Sequence, residues 1–198
     1  MAKRRKVGNL LALTVLTSLA ERPMHPYEMA SEMRERGKDQ SIKINWGSLY
    51  TVVQNLEKHG LIAAAGTSRQ GRHPERTIYE ITPEGRDELS DWLEELLAVP
   101  AREYTRFEAA LSLMGVLRPE RVAHLLHQRA RVLEATVAGD EASLAKLVES
   151  LPRVFVVEAE YRVALAKAEL DWIRGLLDDL EKGTLDGLED WRKYHEGQ

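Results

Sequence analysis

One stretch of the sequence, residues 45–62, carries hydrogen-bonding side chains that a helix could present to a nucleic acid. At about 100° per residue, one side of this helix is aliphatic, and the opposite side carries threonine, glutamine, asparagine, tyrosine and lysine. Such side chains bind base edges or phosphate oxygens. We therefore predict that Thr51, Gln54 and Asn55 contact base edges. The residues predicted to contact phosphates from this stretch and just before it are Lys43, Ser48, Tyr50 and Lys58.

The helix that positions these side chains is bounded by local signals. Asn45 is predicted to cap its amino terminus, and Gly60 is predicted to end it. A helix with one aliphatic and one polar side is typical of the recognition helix of a helix-turn-helix. Its aliphatic side consists of Leu49, Val52, Val53 and Leu56.

A basic hairpin follows this helix directly. Residues 61–65 and 76–81 predict two strands around a glycine-containing turn. Cations on such a wing neutralise phosphates, although an ordinary exposed hairpin would have the same composition. Arg76 has the alternative of pairing with Glu75 or Glu80. The wing residues predicted to contact DNA are Arg69, Arg72, His73 and Arg76.

Two further helices precede the recognition helix. Residues 7–20 are apolar on nearly all sides, which predicts a helix at the centre of a small core. His25 is expected either to cap the next helix or to be solvated, and Pro26 is expected to take the first helical position, with Tyr27 facing inward. The cations of residues 3–6 form either an arm that contacts DNA or a solubilising terminus.

The carboxy-terminal half is predicted to form a second, helical domain. A helix that begins at Thr82-Pro83 ends near Pro100, and we place the boundary there, between residues 1–100 and 101–198. The long amphipathic helices beyond it suit packing as a hairpin within the chain or across a homodimer. We favour a homodimer, because two such helices leave an apolar face uncovered in so small a domain. The residues predicted to form the dimer interface are Val154, Val157, Tyr161, Leu165, Trp172 and Leu176.

The predicted fold is therefore mainly α with a small β-hairpin wing. A winged helix-turn-helix is followed by a helical, coiled-coil-like dimerisation domain. The charge distribution agrees with two separate tasks: residues 1–82 hold 13 Lys+Arg and 8 Asp+Glu, net +5, and residues 83–198 hold 15 and 24, net −9. The amino-terminal half is thus the part that suits an anionic partner.

Composition and motifs argue against catalysis. The chain has no cysteine, which excludes disulfides and thiolate chemistry and fits the reducing cytosol. No apolar run reaches the ~18 residues that span a bilayer, and no phosphate-binding glycine loop or nucleophile elbow is present. His124 and His127 are spaced to chelate a metal, but solvated helix positions are the expectation. We predict a cytoplasmic, nucleoid-associated protein that is not an enzyme and has no cofactor.

Several motifs together resemble the PadR family of bacterial transcription regulators. The resemblance covers residues 10–90, and a weaker one involves the acidic helical segment around residues 168–172. One departure is Pro26, where the family motif has glycine; proline suits a first helical position but removes a backbone donor. The motifs that carry the resemblance are residues 24–28 (MHPYE), 47–50 (GSLY), 56–62 (LEKHGLI) and 76–85 (RTIYEITPEG).

This resemblance implies a winged-helix DNA-binding domain and a helical dimerisation domain. We therefore expect a homodimeric repressor of a palindromic operator, released from double-stranded DNA by a small aromatic or other hydrophobic effector. The alternative is a helical protein–protein adaptor that uses the winged helix as an interaction module, because a fold by itself does not determine function. Four aromatic residues either line an effector pocket or anchor the cores. These are Trp46, Trp92, Tyr161 and Trp172.

Overall fold

The computed structural model describes residues 5, 7–68 and 76–197, which fall into two units, Met1–Arg102 and Glu103–Gln198. Each unit has a hydrophobic core of its own. The amino-terminal unit contains α1 (Leu10–Glu21), α2 (Pro26–Glu35), α3 (Leu49–Lys58), β1 (Ile62–Ser68), β2 (Arg76–Ile81) and α4 (Pro83–Ala98). The carboxy-terminal unit contains α5 (Arg106–Leu113), α6 (Pro119–Ser150), α7 (Val157–Lys182) and α8 (Leu188–Glu196). This is the mainly helical fold with one β-hairpin that the sequence predicts.

Helix α1 lies at the centre of the amino-terminal core. The Asn9 side chain caps it by accepting a hydrogen bond from the Ala12 backbone N–H at 2.9 Å. Between Leu11 and Leu19, every residue except Thr17 is buried. The helix is thus packed on nearly all sides, as its apolar composition predicts.

Helix α2 begins with the predicted cap. His25 Nδ1 accepts a hydrogen bond from the Tyr27 backbone N–H at 3.0 Å, and Pro26 takes the first helical position. The prediction that Tyr27 faces inward is wrong, because 65 % of this residue is exposed. The buried side of α2 is set by Met29 and Met33, and at ~100° per residue Tyr27 lies about 160° from Met29 and about 120° from Met33 around the helix.

The hairpin is antiparallel, with Ile62 opposite Ile81 and Ala64 opposite Tyr79. β1 is longer than predicted and contains an irregularity between Ala64 and Gly66, where one strand has an extra residue. β2 is also joined to the segment before α2, since Met24 and Tyr79 exchange both backbone hydrogen bonds at 3.0 and 3.1 Å. The wing is therefore anchored to the helix-turn-helix at its base.

The junction between β2 and α4 is tightly packed. Thr82 caps α4 as predicted: its Oγ1 accepts a hydrogen bond from Gly85 N–H (3.0 Å) and donates one to the Gly60 carbonyl (2.7 Å). The Thr82 N–H donates to the Leu61 carbonyl at 3.1 Å. These bonds join the end of the recognition segment to the start of α4.

The carboxy-terminal unit is built on a hairpin of two long helices, α6 and α7. Its core combines Val122, Leu126 and Ala130 of α6 with a stripe of α7 that includes Leu170 and Ile173. α6 continues without interruption through Gly139 and Asp140. α8 closes one end, since Trp191 Nε1 donates to the Gly115 and Leu117 carbonyls at 3.2 and 2.9 Å. No helix in the described part of the chain is long and apolar enough to span a bilayer.

The α6–α7 hairpin and the predicted dimer face use different sides of α7. The hairpin buries Val163, Leu170, Ile173 and Leu177. Five of the six predicted interface residues are exposed, and Leu176 is half-buried against the hairpin core. A hairpin within the chain and a homodimer are therefore compatible, because the hairpin forms and still leaves an apolar stripe on α7. The five exposed residues are Val154, in the turn before α7, and Val157, Tyr161, Leu165 and Trp172 of α7.

Candidate nucleic-acid interface

Helix α3 separates its two sides as the sequence predicts. Leu49, Val52, Val53 and Leu56 are buried in the amino-terminal core. The side chains predicted to contact DNA from α3 are all exposed, so they are available to a partner. They are Tyr50, Thr51, Gln54, Asn55 and Lys58.

The segment before α3 differs from the prediction in one respect. Asn45 caps a short 3-10 turn, Trp46–Ser48, and α3 itself begins at Leu49. Asn45 Oδ1 accepts from the Gly47 N–H (3.2 Å), and the Ser48 hydroxyl donates to the Asn45 carbonyl (2.8 Å). Asn45 therefore caps the 3-10 turn, and α3 begins about one turn later than expected. The hydroxyl of the half-buried Ser48 already donates its hydrogen bond, so it can only accept one from a further partner.

Two predicted phosphate contacts, Lys43 and Lys58, are exposed and have no carboxylate partner among the described residues. Other cations of the same unit are paired: Arg22 contacts Glu28 and Glu32, and Arg36 contacts Glu21. An unpaired cation keeps its full charge for an external anion, whereas an ion pair largely cancels it. The charge available to a phosphate backbone therefore lies near α3.

In the basic amino-terminal cluster of residues 3–6, only Arg5 is described; Lys3, Arg4 and Lys6 lie outside the described residues. Arg5 bridges Glu88 and Glu95 at 2.5 Å to each, and its guanidinium lies 5.0 Å from the centroid of the Trp92 ring. Only 5 % of the Arg5 side chain is exposed, so for this residue the arm interpretation is wrong. The signal was in the sequence of α4, where glutamate, tryptophan and glutamate recur four and three positions apart on one helical side.

The wing is described only at its base. Arg69, Arg72 and His73 lie outside the described residues. Arg76 is the first residue of β2, but only its backbone is described. Their contacts with DNA stay predictions. The strands place the two ends of this basic segment beside each other, since Ser68 lies opposite Arg76.

A contact between Arg34 and Trp46 was not predicted from the sequence. The Arg34 guanidinium carbon lies 4.1 Å from the centroid of the Trp46 ring, a cation–π distance. Arg34 lies in the last turn of α2, and Trp46 opens the 3-10 turn that leads into α3. Twelve residues separate the two, so no local pattern predicts the pair. At the other end of α2, His25 and Tyr50 also meet, with ring centroids 6.4 Å apart.

Tyr79 of β2 joins the wing to the carboxy-terminal end of α3. Burial raises the pKa of Tyr79 above its ordinary value, and the Glu57 carboxylate, which accepts a hydrogen bond from the hydroxyl, raises it further. The folded protein therefore favours the neutral phenol. The resulting stability is present below the unfolded pKa of about 10 and is lost as the pH rises through the folded pKa.

We expect Tyr79→Phe to lower the free energy of unfolding by about 1 kcal/mol at neutral pH, because one partly buried hydrogen bond is lost. The difference from the wild type should stay constant up to about pH 10 and shrink above it. Urea unfolding across this range measures the effect, with Tyr194→Phe, which changes an exposed tyrosine, as control. Equal stability of wild type and Tyr79→Phe at neutral pH would contradict the assigned bond.

The aromatic residues considered for an effector pocket have different roles. Trp92 is buried in the amino-terminal core and Trp46 packs against it, whereas Tyr161 and Trp172 are exposed. The amino-terminal unit has instead a cavity of about 180 Å³ between α1, α2 and the segment after α2. Apolar atoms form most of its surface, although polar and charged side chains also line it, among them Thr17 and Ser18 of α1 and Glu32 of α2. The apolar residues are Leu13, Met33, Ile42 and Leu93.

The two histidines considered for a metal are engaged with other side chains. His127 Nε2 lies 2.6 Å from Glu181 Oε1, and His124 Nε2 lies 3.0 Å from Gln128 Nε2. Within the described ranges, no group of three or more histidine, aspartate or glutamate residues is arranged to hold a metal ion.

Solved structures of similar fold include PadR of Bacillus subtilis in complex with operator DNA. Its TM-score is 0.71 at 19 % identity, with 87 % of this chain and 99 % of that chain covered. The same Bacillus subtilis protein in complex with p-coumaric acid gives a TM-score of 0.71 at 17 % identity, again covering 87 % and 99 %. The virulence activator AphA of Vibrio cholerae gives 0.62 at 19 %, covering 87 % and 98 %. At these identities the likeness establishes the fold of the chain.

The family comparison concerns the amino-terminal unit. No protein of curated function matches the sequence. Residues 15–91 match the model of the transcriptional regulator PadR-like family, and this range contains α2, α3 and the wing. All the residues that we predict to contact DNA lie within it. This part of the chain is thus similar to the PadR-like family of transcriptional regulators.

Proposed function

We propose that this transcriptional regulator is a repressor that binds a palindromic operator as a homodimer. The observation that carries the proposal is the exposed polar side of α3, with unpaired lysines beside it on a chain of net charge −4. Base-edge contacts by Thr51, Gln54 and Asn55 provide specificity, and phosphate contacts by Lys43 and Lys58 provide affinity. The match of residues 15–91 to a family of transcriptional regulators also fits our expectation that the chain is not an enzyme.

The dimer is supported by the apolar stripe on α7. Tyr161, Leu165 and Trp172 are each more than half exposed, although the opposite side of the same helix is buried in the hairpin. Exposed apolar side chains in a row mark an interaction surface. A second copy of α7 would cover them, and the two-fold symmetry of such a dimer matches a palindromic operator.

The direct test is to recover the DNA fragments that the purified protein binds from its own genome, and to footprint them. A repressor of the proposed kind protects two related half-sites about one helical turn or a multiple apart. Its removal should raise transcription from the adjoining promoter. An adaptor protein would pass through a duplex DNA column at low salt, and that result would refute the proposal.

The role of Gln54 is tested by Gln54→Ala. We expect a loss of preference at one base-pair position of each half-site, at a cost of ~1–3 kcal/mol in specific binding. Lys58→Ala is the matched comparison on the same helix, and it should weaken binding to all sequences alike and lower the salt dependence. Binding to a library of half-site variants separates the two effects. If both variants changed binding in the same way, the division between base-reading and phosphate-binding residues would be wrong.

We also propose release from the operator by a small hydrophobic effector. The cavity of about 180 Å³ in the amino-terminal unit supports this part, because its lining reaches the segment that connects α2 to α3 through Lys38 and Ile42. A cavity of this size accommodates a single aromatic ring. p-Coumaric acid, which occupies the Bacillus subtilis protein, is a reasonable first probe in a DNA-release titration. Met33→Trp, which fills the cavity, should reduce the response to any effector that binds there.

A further inference from the structure

We propose that Arg34 binds a DNA phosphate and that Trp46 is the residue that positions it. The inference rests on the proposed DNA binding and adds a contact that lies on α2, outside the recognition helix and the wing. It depends on three features of the structure: the geometry of the stack, the charge state of Arg34 and its place beside the start of α3.

The stack orients the Arg34 side chain. The central carbon of the guanidinium lies over the Trp46 ring, 4.1 Å from the ring centroid. Trp46 is itself half-buried against the amino-terminal core, so the ring is a fixed platform. The Arg34 N–H donors form no hydrogen bond with another described residue, so they remain available to a partner. A planar fork of this kind matches two phosphate oxygens.

The stack does not neutralise the charge. Arg5, Arg22 and Arg36 of the same unit are all paired with glutamates. Arg34 is exposed and has no carboxylate partner in the part of the chain that the structure describes. An aromatic ring holds the cation without supplying a counter-charge, so Arg34 remains able to release DNA counterions on binding.

The stack lies beside the amino-terminal end of the recognition segment. Gly47 N–H and Ser48 N–H are already bonded to Asn45, at 3.2 and 3.0 Å, so these backbone donors are not available to a phosphate. A phosphate that arrives at this end has to be bound by side chains. Two exposed cations without a carboxylate partner among the described residues flank this end in the sequence. They are Arg34, in the last turn of α2, and Lys43, in the segment that leads to α3.

The experiment compares the salt dependence of binding to mixed-sequence duplex DNA for wild type, Arg34→Gln and Arg36→Gln. For Arg34→Gln we expect the slope of log K against log salt to fall in magnitude by about 0.9, which corresponds to roughly eightfold weaker binding at ~0.1 M salt. Arg36→Gln is the matched control, since it removes the same charge two residues away from a side chain paired with Glu21. Its slope should stay that of the wild type. Arg34→Lys should also keep the slope, because the charge remains.

A double-mutant cycle tests the part assigned to Trp46. Trp46→Leu should weaken DNA binding roughly twofold to fivefold in the wild-type background, the usual strength of an exposed cation–π contact. In the Arg34→Gln background it should have no further effect on binding, whereas a loss that arises from the fold alone would persist. Thermal unfolding of each variant confirms that it is folded.

Three outcomes would overturn the inference. An unchanged slope and affinity for Arg34→Gln would remove Arg34 from the DNA contacts and leave the proposed function intact. An effect of Trp46→Leu that is the same in both backgrounds would remove Trp46 from its positioning role. Wild-type protein that fails to bind duplex DNA at low salt would overturn the inference together with the proposed function.

Discussion

Leu165→Glu is expected to separate the proposed dimer into monomers and to abolish specific operator binding with it. Leu165 is 53 % exposed and lies between Tyr161 and Trp172 in the apolar stripe of α7. Two-fold symmetry introduces the substitution twice in one interface. An unpaired carboxylate left without solvent costs about 3–5 kcal/mol, so the dissociation constant of the dimer should rise by roughly 100-fold or more. Sedimentation equilibrium and a DNA-binding titration measure the two effects.

Val116→Glu provides the control for this substitution. Val116 is also an exposed apolar residue of the carboxy-terminal unit, but it lies in the turn after α5, outside the stripe. It should leave both the dimer and DNA binding unchanged. Leu165 should tolerate glutamate within its own chain, because the α6–α7 core lies on the other side of α7, and circular dichroism tests this. A Leu165→Glu protein that remained dimeric would show that the α7 stripe is not the interface.

Gly85→Ala should be among the most destabilising substitutions in the amino-terminal unit. A Cβ at this position would lie 2.0 Å from the Leu61 carbonyl oxygen and 2.9 Å from Ile81 Cγ1. The Leu61 carbonyl accepts the Thr82 N–H, so it cannot move without loss of that bond. Overpacking against backbone, together with a disturbed helix cap, predicts a loss of about 3 kcal/mol or more in the free energy of unfolding. The midpoint of urea unfolding reports it.

The matched control is Gly139→Ala in α6. No atom lies within 4 Å of a Cβ at Gly139, and the residue is exposed within a regular helix. Alanine is the better helix former by about 1 kcal/mol, so this variant should be slightly more stable than the wild type. A Gly85→Ala protein as stable as the wild type would contradict the close packing of the β2–α4 junction.

The features that sequence predicted well depend on neighbouring residues. The caps formed by His25 and Thr82 are bonds between groups two or three residues apart, so the local sequence is sufficient to place them. The two sides of α3 follow from helical periodicity alone. Asn45 is a cap, as predicted, but the α-helix begins about one turn later than expected. The sequence does not separate the two cases, because a 3-10 turn and the first turn of an α-helix begin with the same residue types.

The features that sequence could not predict depend on contacts between distant residues. The ion pairs of Arg5 with Glu88 and Glu95 join positions more than eighty residues apart. The spacing of the glutamates in α4 indicates a side that could bind a cation, but the sequence does not show that Arg5 is the cation that binds there. Tyr27 faces solvent because α2 packs against the core through Met29 and Met33 instead. The stack of Arg34 on Trp46 likewise required the folded helix-turn-helix.

The amino-acid sequence by itself determined that a helix with one polar side is followed by a basic hairpin, because periodicity and turn chemistry act over a few residues. Only the tertiary structure decided which cations keep their charge for a partner, since that depends on which carboxylates the fold brings within reach. It also decided which side of α7 is used within the chain: Ile173 is fully buried in the hairpin, and Leu165 is left exposed. Both outcomes follow from long-range packing, in which a residue's neighbours in space are not its neighbours in the chain.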